Sequence, residues 1–418
     1  MYHGGLYPFP GRRRRLSAMT YDVAVVGAGP SGAWTARSLA RRGVRVLLLD
    51  PSHPREKPCG GGITGRALSL VADAIDTSAL PAVAIRSAKF TTSSSSRAAD
   101  VPLPRAGLCV ASRSVFDGLL LDSARRSGAS VLESRVTDVR AIAGGFHIET
   151  LDRTYRATGL IGADGANSLV RRRLAEPFRR DQLSIATGFF AHGAESDEIR
   201  IEFVDEPPGY IWSFPRPGHL AIGICAQADG GVTSAMLRRI AAGWLARTKV
   251  AGEARLEPYA WPIPSLSSAD LLALQPSGPC DGAAPGGPGW MLVGDAAGLV
   301  DPITREGIYF ALRSAEWAAD AVAAGGADPW RRYAERVREE IGAELARASR
   351  LKHRFFRPRF TRLMIDALRH SASVRAVMAD LVAGEQGYGD LKWRLARTLE
   401  LGLAARFFLG ASRAETRA

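Results

Sequence analysis

The residues of this chain best suited to chemistry fall in short clusters of glycine, acid and cysteine, each beside an apolar run. Gly27, Gly29 and Gly32 stand at the spacing G-x-G-x-x-G at the end of the apolar run 23–27. Such glycines serve a tight turn, the approach of a backbone to a pyrophosphate, and close helix–strand packing. Pro30 and Ser31 open a segment in which Ala33, Ala36, Leu39 and Ala40 recur at helical period. A helix starting there aims free N–H groups and its positive dipole end at the pyrophosphate. Asp50 closes a second apolar run, 44–49, where a carboxylate can hold an adenosine ribose. Arg113, in Ala111-Ser112-Arg113-Ser114-Val115-Phe116-Asp117, opens another helix and stands where it can meet a phosphate. Asp164-Gly165 and Gly294-Asp295 each end a further apolar run. Cys59 precedes three glycines, Gly60, Gly61 and Gly62. A free thiol has a pKa of about 8.5, so Cys59 is a candidate proton donor at neutral pH.

Positioning these clusters requires a scaffold, and the hydrophobic periodicity supplies two. Runs at 23–27, 44–49, 160–163 and 290–293 read as strands buried on both faces, alternating with helical patterns at 115–126 and from Ile308 through Val322. Between residues 184 and 226 the pattern changes to alternating strands at 185–191, 199–204, 210–214 and 220–226, closed by a helix at 234–248. A helix is expected over 63–75, a hairpin tip at 93–96, a hairpin turn at Gly144-Gly145 and a surface connection over 264–289. Tyr333, Val337, Ile341 and Leu345 stripe a later helix. The expected fold class is α/β: a Rossmann-type nucleotide-binding domain with an inserted antiparallel β-sheet substrate domain and a C-terminal helical region. The expected division is 1–19, a disordered extension; 20–80, 105–180 and 289–328, the nucleotide-binding domain; 81–104 and 181–288, the substrate-binding sheet; and 329–418, basic helices.

Composition narrows the setting. The 418 residues are 46% hydrophobic and 23% charged, as in a globular protein, and no apolar run is long enough to span a bilayer. A net charge of +13, mostly arginine, favours anionic partners such as phosphates or acidic headgroups; an Arg-rich coding bias explains it equally well. No nucleic-acid-binding module is recognisable. Four cysteines without a C-x-x-C suggest neither a metal site nor a disulfide framework, and point to the reducing cytoplasm. No apolar stretch follows Arg12–Arg15, so no signal peptide is expected, and Met19 fits a native start.

The G-x-G-x-x-G, Asp164-Gly165 and Gly294-Asp295 motifs, in that order, resemble those of the FAD-dependent, p-hydroxybenzoate hydroxylase-like flavoproteins. Lys57-Pro58-Cys59-Gly60-Gly61-Gly62-Ile63 is similar to the K-P-C-G-G-G signature of the geranylgeranyl reductase family within that superfamily. Gly209-Tyr210-Ile211-Trp212-Ser213-Phe214-Pro215 is similar to its Y-x-W-x-F-P element. The resemblance, over about residues 21–324, implies bound FAD. Its site residues would be Gly27, Gly29, Pro30, Ser31, Gly32, Asp50, Gly60, Gly61, Gly62, Arg113, Val136, Asp164, Gly165, Gly294, Asp295, Pro302, Gly307 and Ile308. Asp295 would accept a ribitol hydroxyl, the helix after Gly307 would face the flavin's pyrimidine edge, and the glycines after Cys59 would let backbone lie against the isoalloxazine ring.

The implied reaction is saturation of isolated C=C bonds in a polyprenyl (geranylgeranyl-type) chain on a lipid, quinone or diphosphate. Cys59 would be the acid, and NAD(P)H or reduced ferredoxin the electron source. Tyr210, Trp212 and Phe214, on one strand face, would wall the prenyl channel. A flavin monooxygenase or halogenase of the same fold, and a non-catalytic prenyl-lipid carrier, are the alternatives. Arg305 stands where the family reads glycine in T-G-E-G; its outlets are solvent, a reduced anionic flavin or a substrate phosphate. Leu391, Leu395 and Leu399, with Lys392, Arg394 and Arg397 close by, suggest a basic amphipathic helix at an anionic membrane surface, hence peripheral attachment at the inner face of the membrane. The oligomeric state is left open.

Overall fold

The computed structural model describes residues 20–104, 107–280, 287–326 and 328–397. The expected extension 1–19 and Leu399 lie outside the described residues. Apolar runs that must avoid water on both sides form the middle of a parallel sheet. Thr20–Val26 lies between Thr154–Gly162 and Val46–Asp50, parallel to both, with Ser130–Glu133 beyond. Gly289–Leu292 joins on the far side of Thr154–Gly162. Ala24, Val25, Leu47 and Leu48 have no exposed surface, which is why these strands do not alternate. Pro30–Ala40 packs against both Arg113–Arg126 and Ile308–Ala323, and the first residue of each of the three helices borders one cavity. Val136–Ile142 and Gly145–Thr150 form the expected hairpin and lead into Thr154–Gly162.

The second sheet has seven strands in the order Arg255–Pro264, Leu183–His192, His219–Gln227, Gly209–Arg216, Glu198–Val204, Ser87–Thr92, Ser95–Pro102. Two features depart from expectation. Ser87–Thr92 runs parallel to Glu198–Val204, so the sheet is not wholly antiparallel. Arg255–Pro264 is a strand that the sequence obscured with Pro258, Pro262 and Pro264; among the described residues it pairs only with Leu183–His192, and an edge tolerates residues without an N–H.

The join between the layers also differs. Gly62–Thr64, Leu108–Ala111 and Ala82–Ala84 make a three-stranded sheet, so the helix expected from residue 63 starts only at Gly65 and ends at Val71. Ser277–Pro279, expected in the connection, pairs with Gly289–Leu292 and extends the first sheet.

The C-terminal helices are part of the body. Pro329–Arg336, a π-helical turn Val337–Gly342, and Ala343–Phe355 follow without a break. Tyr333, Val337, Ile341 and Leu345 are buried, and the Tyr333 hydroxyl donates to the Leu292 carbonyl at 2.6 Å, fastening this helix to the parallel sheet. Pro358–His370 and Ala372–Ala383 pack on Ser95–Pro102. Leu391 is buried and Leu395 half-buried, so the leucine face of Leu391–Arg397 turns inward, contrary to the membrane-facing expectation. Among the described residues, no helix is long and apolar enough to cross a membrane, and no group of His, Cys, Asp or Glu is arranged to hold a metal.

Candidate active site

A cavity of about 950 Å³ runs between the two sheets. At one end is the turn after Thr20–Val26. Gly27 has φ +100°, and a Cβ there would lie 2.4 Å from the Ala163 carbonyl oxygen; at Gly32 it would lie 1.7 Å from the Gly27 oxygen. Only glycine lets the helix sit this close to the turn. The helix begins with Pro30 after Gly29, no side chain caps it, and no acid lies in its first turn. Gly29, Pro30 and Ser31 line the cavity, so an uncapped, positive helix end opens into it. This cradle fits the pyrophosphate of a dinucleotide.

The surrounding acids hold the cradle in shape. Asp50 accepts the Ala28 N–H at 2.9 Å, the Ser52 and His53 N–H groups at 2.7 and 2.8 Å, and His53 Nδ1 at 2.9 Å. Its carboxyl is held well below the ordinary range: burial acts upward, but His53 and the backbone donors outweigh it. A ribose hydroxyl would meet a carboxylate already engaged by the protein. Asp164 lines the cavity, but its carboxylate turns back to accept Ser168 Oγ and the Leu169 N–H, capping Leu169–Leu174; burial pushes its pKa up. Asp295 takes Lys57 Nζ at 2.9 Å on Oδ2, while Oδ1 faces Gly307. Gly165, Val136, Gly307 and Ile308 line the cavity; Gly32, Gly294 and Pro302 do not and lie behind its wall. Gly294, at φ +58°, makes the turn there and donates its N–H to Ser314 Oγ.

Cys59 sits half-buried in the cavity wall, and its surroundings were not legible in the motif. Arg113, expected at a phosphate, gives Nε and Nη2 to Asp117, both at 2.8 Å, and points Nη1 at Cys59 Sγ at 3.4 Å. Arg216, with a side chain wholly buried, places Nη2 3.3 Å from the same sulfur. Arg216 also donates to the Gly60 carbonyl at 3.1 Å, to the Cys59 carbonyl and to Glu56. Glu56 in turn accepts from Ser112 Oγ at 2.6 Å and the Arg113 N–H at 3.0 Å. A guanidinium only donates, so the sulfur is the acceptor in both contacts. Burial alone pushes the thiol up; Arg113, Arg216 and Lys57 together bring it below its ordinary value. Cys109, under burial without cations, is pushed up to about 11. The neighbouring cations therefore make Cys59 more acidic than an ordinary thiol.

The glycines after Cys59 have local reasons as well. A Cβ on Gly60 would meet the Phe214 ring at 2.9 Å, and one on Gly61 would meet Arg216 Nε at 2.6 Å. Protein packing is thus one reason for the absence of side chains at Gly60 and Gly61, which also line the cavity. Gly62 meets nothing closer than 3.4 Å.

Beyond this loop the cavity is apolar. Tyr210, Trp212 and Phe214 face it from one strand, with Trp212 accommodated opposite Gly223, where a Cβ would lie 2.4 Å from its ring. Tyr210 stacks on Phe356 at 6.2 Å and donates its hydroxyl to the Thr304 carbonyl at 3.1 Å. Phe90, Ile199, Ile201 and Phe203 extend the sheet face, and Phe355, Met378, Leu381 and Val382 close the far side. Sequence reasoning missed this far wall because it comes from helices remote in the chain; the aromatic pair Phe355-Phe356 was its available sign. Arg305 does not swing to solvent: Nη1 donates to the buried Ser265 Oγ at 2.6 Å.

Residues 20–222 match the FAD binding domain family, which makes the cradle that of an FAD-dependent flavoprotein. A menaquinone reductase from Mycolicibacterium smegmatis is 31% identical over 418 residues, covering 92% of this chain and 97% of that protein. A digeranylgeranylglycerophospholipid reductase from Methanothrix thermoacetophila is 30% identical over 368 residues, covering 81% of this chain and 88% of that protein. The crystal structure of a geranylgeranyl bacteriochlorophyll reductase-like protein from Thermoplasma acidophilum shares the fold, with a TM-score of 0.72 at 23% identity over 91% of this chain and 99% of that one. The chain belongs to the geranylgeranyl reductase family of FAD-dependent oxidoreductases.

Proposed function

We propose that this protein saturates isolated C=C bonds of a polyprenyl chain lying in the cavity, the chain being carried on a lipid, a quinone or a diphosphate. The observation that carries this reading is one continuous cavity: a dinucleotide cradle at one end, an aromatic-walled apolar space at the other, and Cys59 in the wall lined by both. Bound FAD supplies the hydride, the chemistry this chain's own side chains lack. An isolated alkene has no carbonyl to stabilise charge, so a proton must arrive as hydride does. Cys59 holds that proton at Sγ, and Arg113 and Arg216 stabilise the thiolate left behind. Tyr210, Trp212 and Phe214 hold the chain and exclude water. NAD(P)H or a reduced ferredoxin delivers the electrons. The test is anaerobic mixing of the reduced protein with a geranylgeranyl substrate: the flavin should reoxidise and the product should gain a pair of hydrogens per bond. Unchanged substrate would sink the reading.

Gly27, Gly29, Ser31 and Asp295 are the residues proposed to hold FAD. Asp295→Ala removes a charged hydrogen-bond acceptor, so FAD should bind about 10–100-fold more weakly, read as flavin content after gel filtration at low concentration. Undiminished retention would separate Asp295 from the flavin site.

Attachment to an anionic membrane is proposed through the end of Ala343–Phe355 and the start of Pro358–His370. Arg350, His353, Arg354, Arg357, Arg359 and Arg362 are exposed there, and Phe355 beneath them lines the cavity. Each of these arginines near an acidic surface contributes about 1 kcal/mol, screened by salt. The protein should co-sediment with phosphatidylglycerol vesicles at low salt and release at high salt. Equal sedimentation with neutral vesicles would count against the electrostatic contact.

A further inference from the structure

One cluster beside the cavity has no part in the chemistry above. Arg305 is held at φ +62°, one of two non-glycine residues with positive φ among the described residues; the other, Lys249, sits at a helix C-cap. A bulky residue is kept in that conformation only where its surroundings hold it. Its Nη1 donates to Ser265 Oγ at 2.6 Å, and Lys352 Nζ donates to the same oxygen at 2.9 Å and to Gln227 Oε1. Arg305 Nε is buried with no hydrogen-bond partner among the described residues. No carboxylate among the described residues makes an ion pair with Arg305 or Lys352. The nearby Asp301 is turned to the Ile303 and Thr304 N–H groups and the Tyr388 hydroxyl.

Two cations converging on one neutral oxygen repel each other, and low dielectric makes this worse. Burial and Arg305 bring the pKa of Lys352 down to about 7. A structural strap would pair Arg305 with an acid. Asp301 and Asp229 act on Arg305 and Lys352 only through space, so neither cation has a bonded anion, and Arg305 lines the cavity into which one can come. The aromatic wall reaches the same place, since the Tyr210 hydroxyl is bonded to Thr304, the neighbour of Arg305.

We propose that Arg305 and Lys352 form a binding site for the phosphate or diphosphate end of a prenyl lipid, so that the preferred substrate is phosphorylated and not a neutral quinone or alcohol. The assignment rests on the prenyl-chain reading for the tail, but not for the anion. Arg305 supplies planar donors suited to phosphate oxygens, and Lys352 a second charge behind it.

The test uses the FAD-loaded protein, so that the nucleotide cradle is occupied, and three probes: geranylgeranyl diphosphate, geranylgeraniol and inorganic pyrophosphate. Binding is read by calorimetry for wild type, Arg305→Gly and Lys352→Gln. Glycine at 305 suits the positive φ, so that variant keeps the fold. Wild type should bind the diphosphate about 10–100-fold tighter than the alcohol. Arg305→Gly should lose that margin with the alcohol's affinity unchanged within about two-fold, and Lys352→Gln should lose part of it. Equal affinity of wild type for diphosphate and alcohol overturns the anion site and leaves the prenyl reading standing. An undiminished margin in Arg305→Gly also overturns it. Pyrophosphate bound by wild type and lost in Arg305→Gly, with neither prenyl probe bound, keeps the anion site and removes the prenyl reading. No probe bound removes both.

Discussion

Cys59→Ser should leave the protein yellow and reducible while slowing alkene reduction by about 10²–10⁴-fold, the usual weight of general-acid assistance. Serine keeps an acceptor where Arg113 and Arg216 converge, so the loop geometry is retained. What changes is acidity. The two guanidiniums lower the sulfur's pKa because a thiolate is within their power to stabilise; an alkoxide at neutral pH is not. Single-turnover oxidation of the reduced flavin by a polyprenyl substrate, without oxygen, measures the step directly. A rate within a few-fold of wild type would remove Cys59 from proton delivery and leave its loop as scaffold. The same variant separates reductase from oxygenase, since oxygen activation has no comparable need of a thiol.

The second large effect is expected at Arg216. Its side chain is wholly buried and joins Glu56, the carbonyls of Cys59 and Gly60, and the Cys59 sulfur. Arg216→Met fills similar volume but takes the cation from the half-buried Glu56, which keeps Ser112 and the Arg113 N–H. Losing a hydrogen bond to a charged group costs on the order of 1.5–3 kcal/mol. Urea unfolding at pH 7 should show a loss of that size, and Glu56→Gln combined with Arg216→Met should recover part of it. The sign with pH follows from Glu56. Burial alone raises its pKa, but Arg216, Ser112 and nearby N–H groups hold it below its ordinary value. Its contribution in wild type is therefore complete above the unfolded glutamate value, about 4.3, and is lost as pH falls through the lower folded value. In the variant Glu56 has no cation and protonates more readily, so the gap between variant and wild type should narrow from pH 7 toward pH 4.5. A loss below about 1 kcal/mol at pH 7 would mean that the pair does not organise the loop.

The parallel sheet, its glycine turn and the aromatic strand were legible because each is a local pattern. Buried strands show as apolar runs, tight turns as glycine, and a half-buried strand as alternation at Tyr210, Trp212 and Phe214. What was not legible depends on partners distant in the chain. Asp117, four residues on, is a ready i,i+4 partner for Arg113, but nothing near Arg113 says that its guanidinium also reaches Cys59, 54 residues away. Lys57 and Asp295 are 238 residues apart, and Arg216 and Glu56 are 160 apart. The glycines at 60 and 61 read as room for a ligand, and nothing nearby says that Phe214 and Arg216 also press on them. The leucines of the last described helix have a spacing that suits a membrane or a protein neighbour, and only packing decides between them.

The two ends of the cavity answer to different genetic constraints. At the nucleotide end, any side chain at Gly27 or Gly32 collides with backbone, so drift there is lethal to the turn itself. At the other end the boundary includes the half-buried Met378, Leu381 and Val382. That boundary works as a ruler. A lineage could shorten or lengthen the tail it accepts by exchanging these three residues, while its redox half stayed as it was.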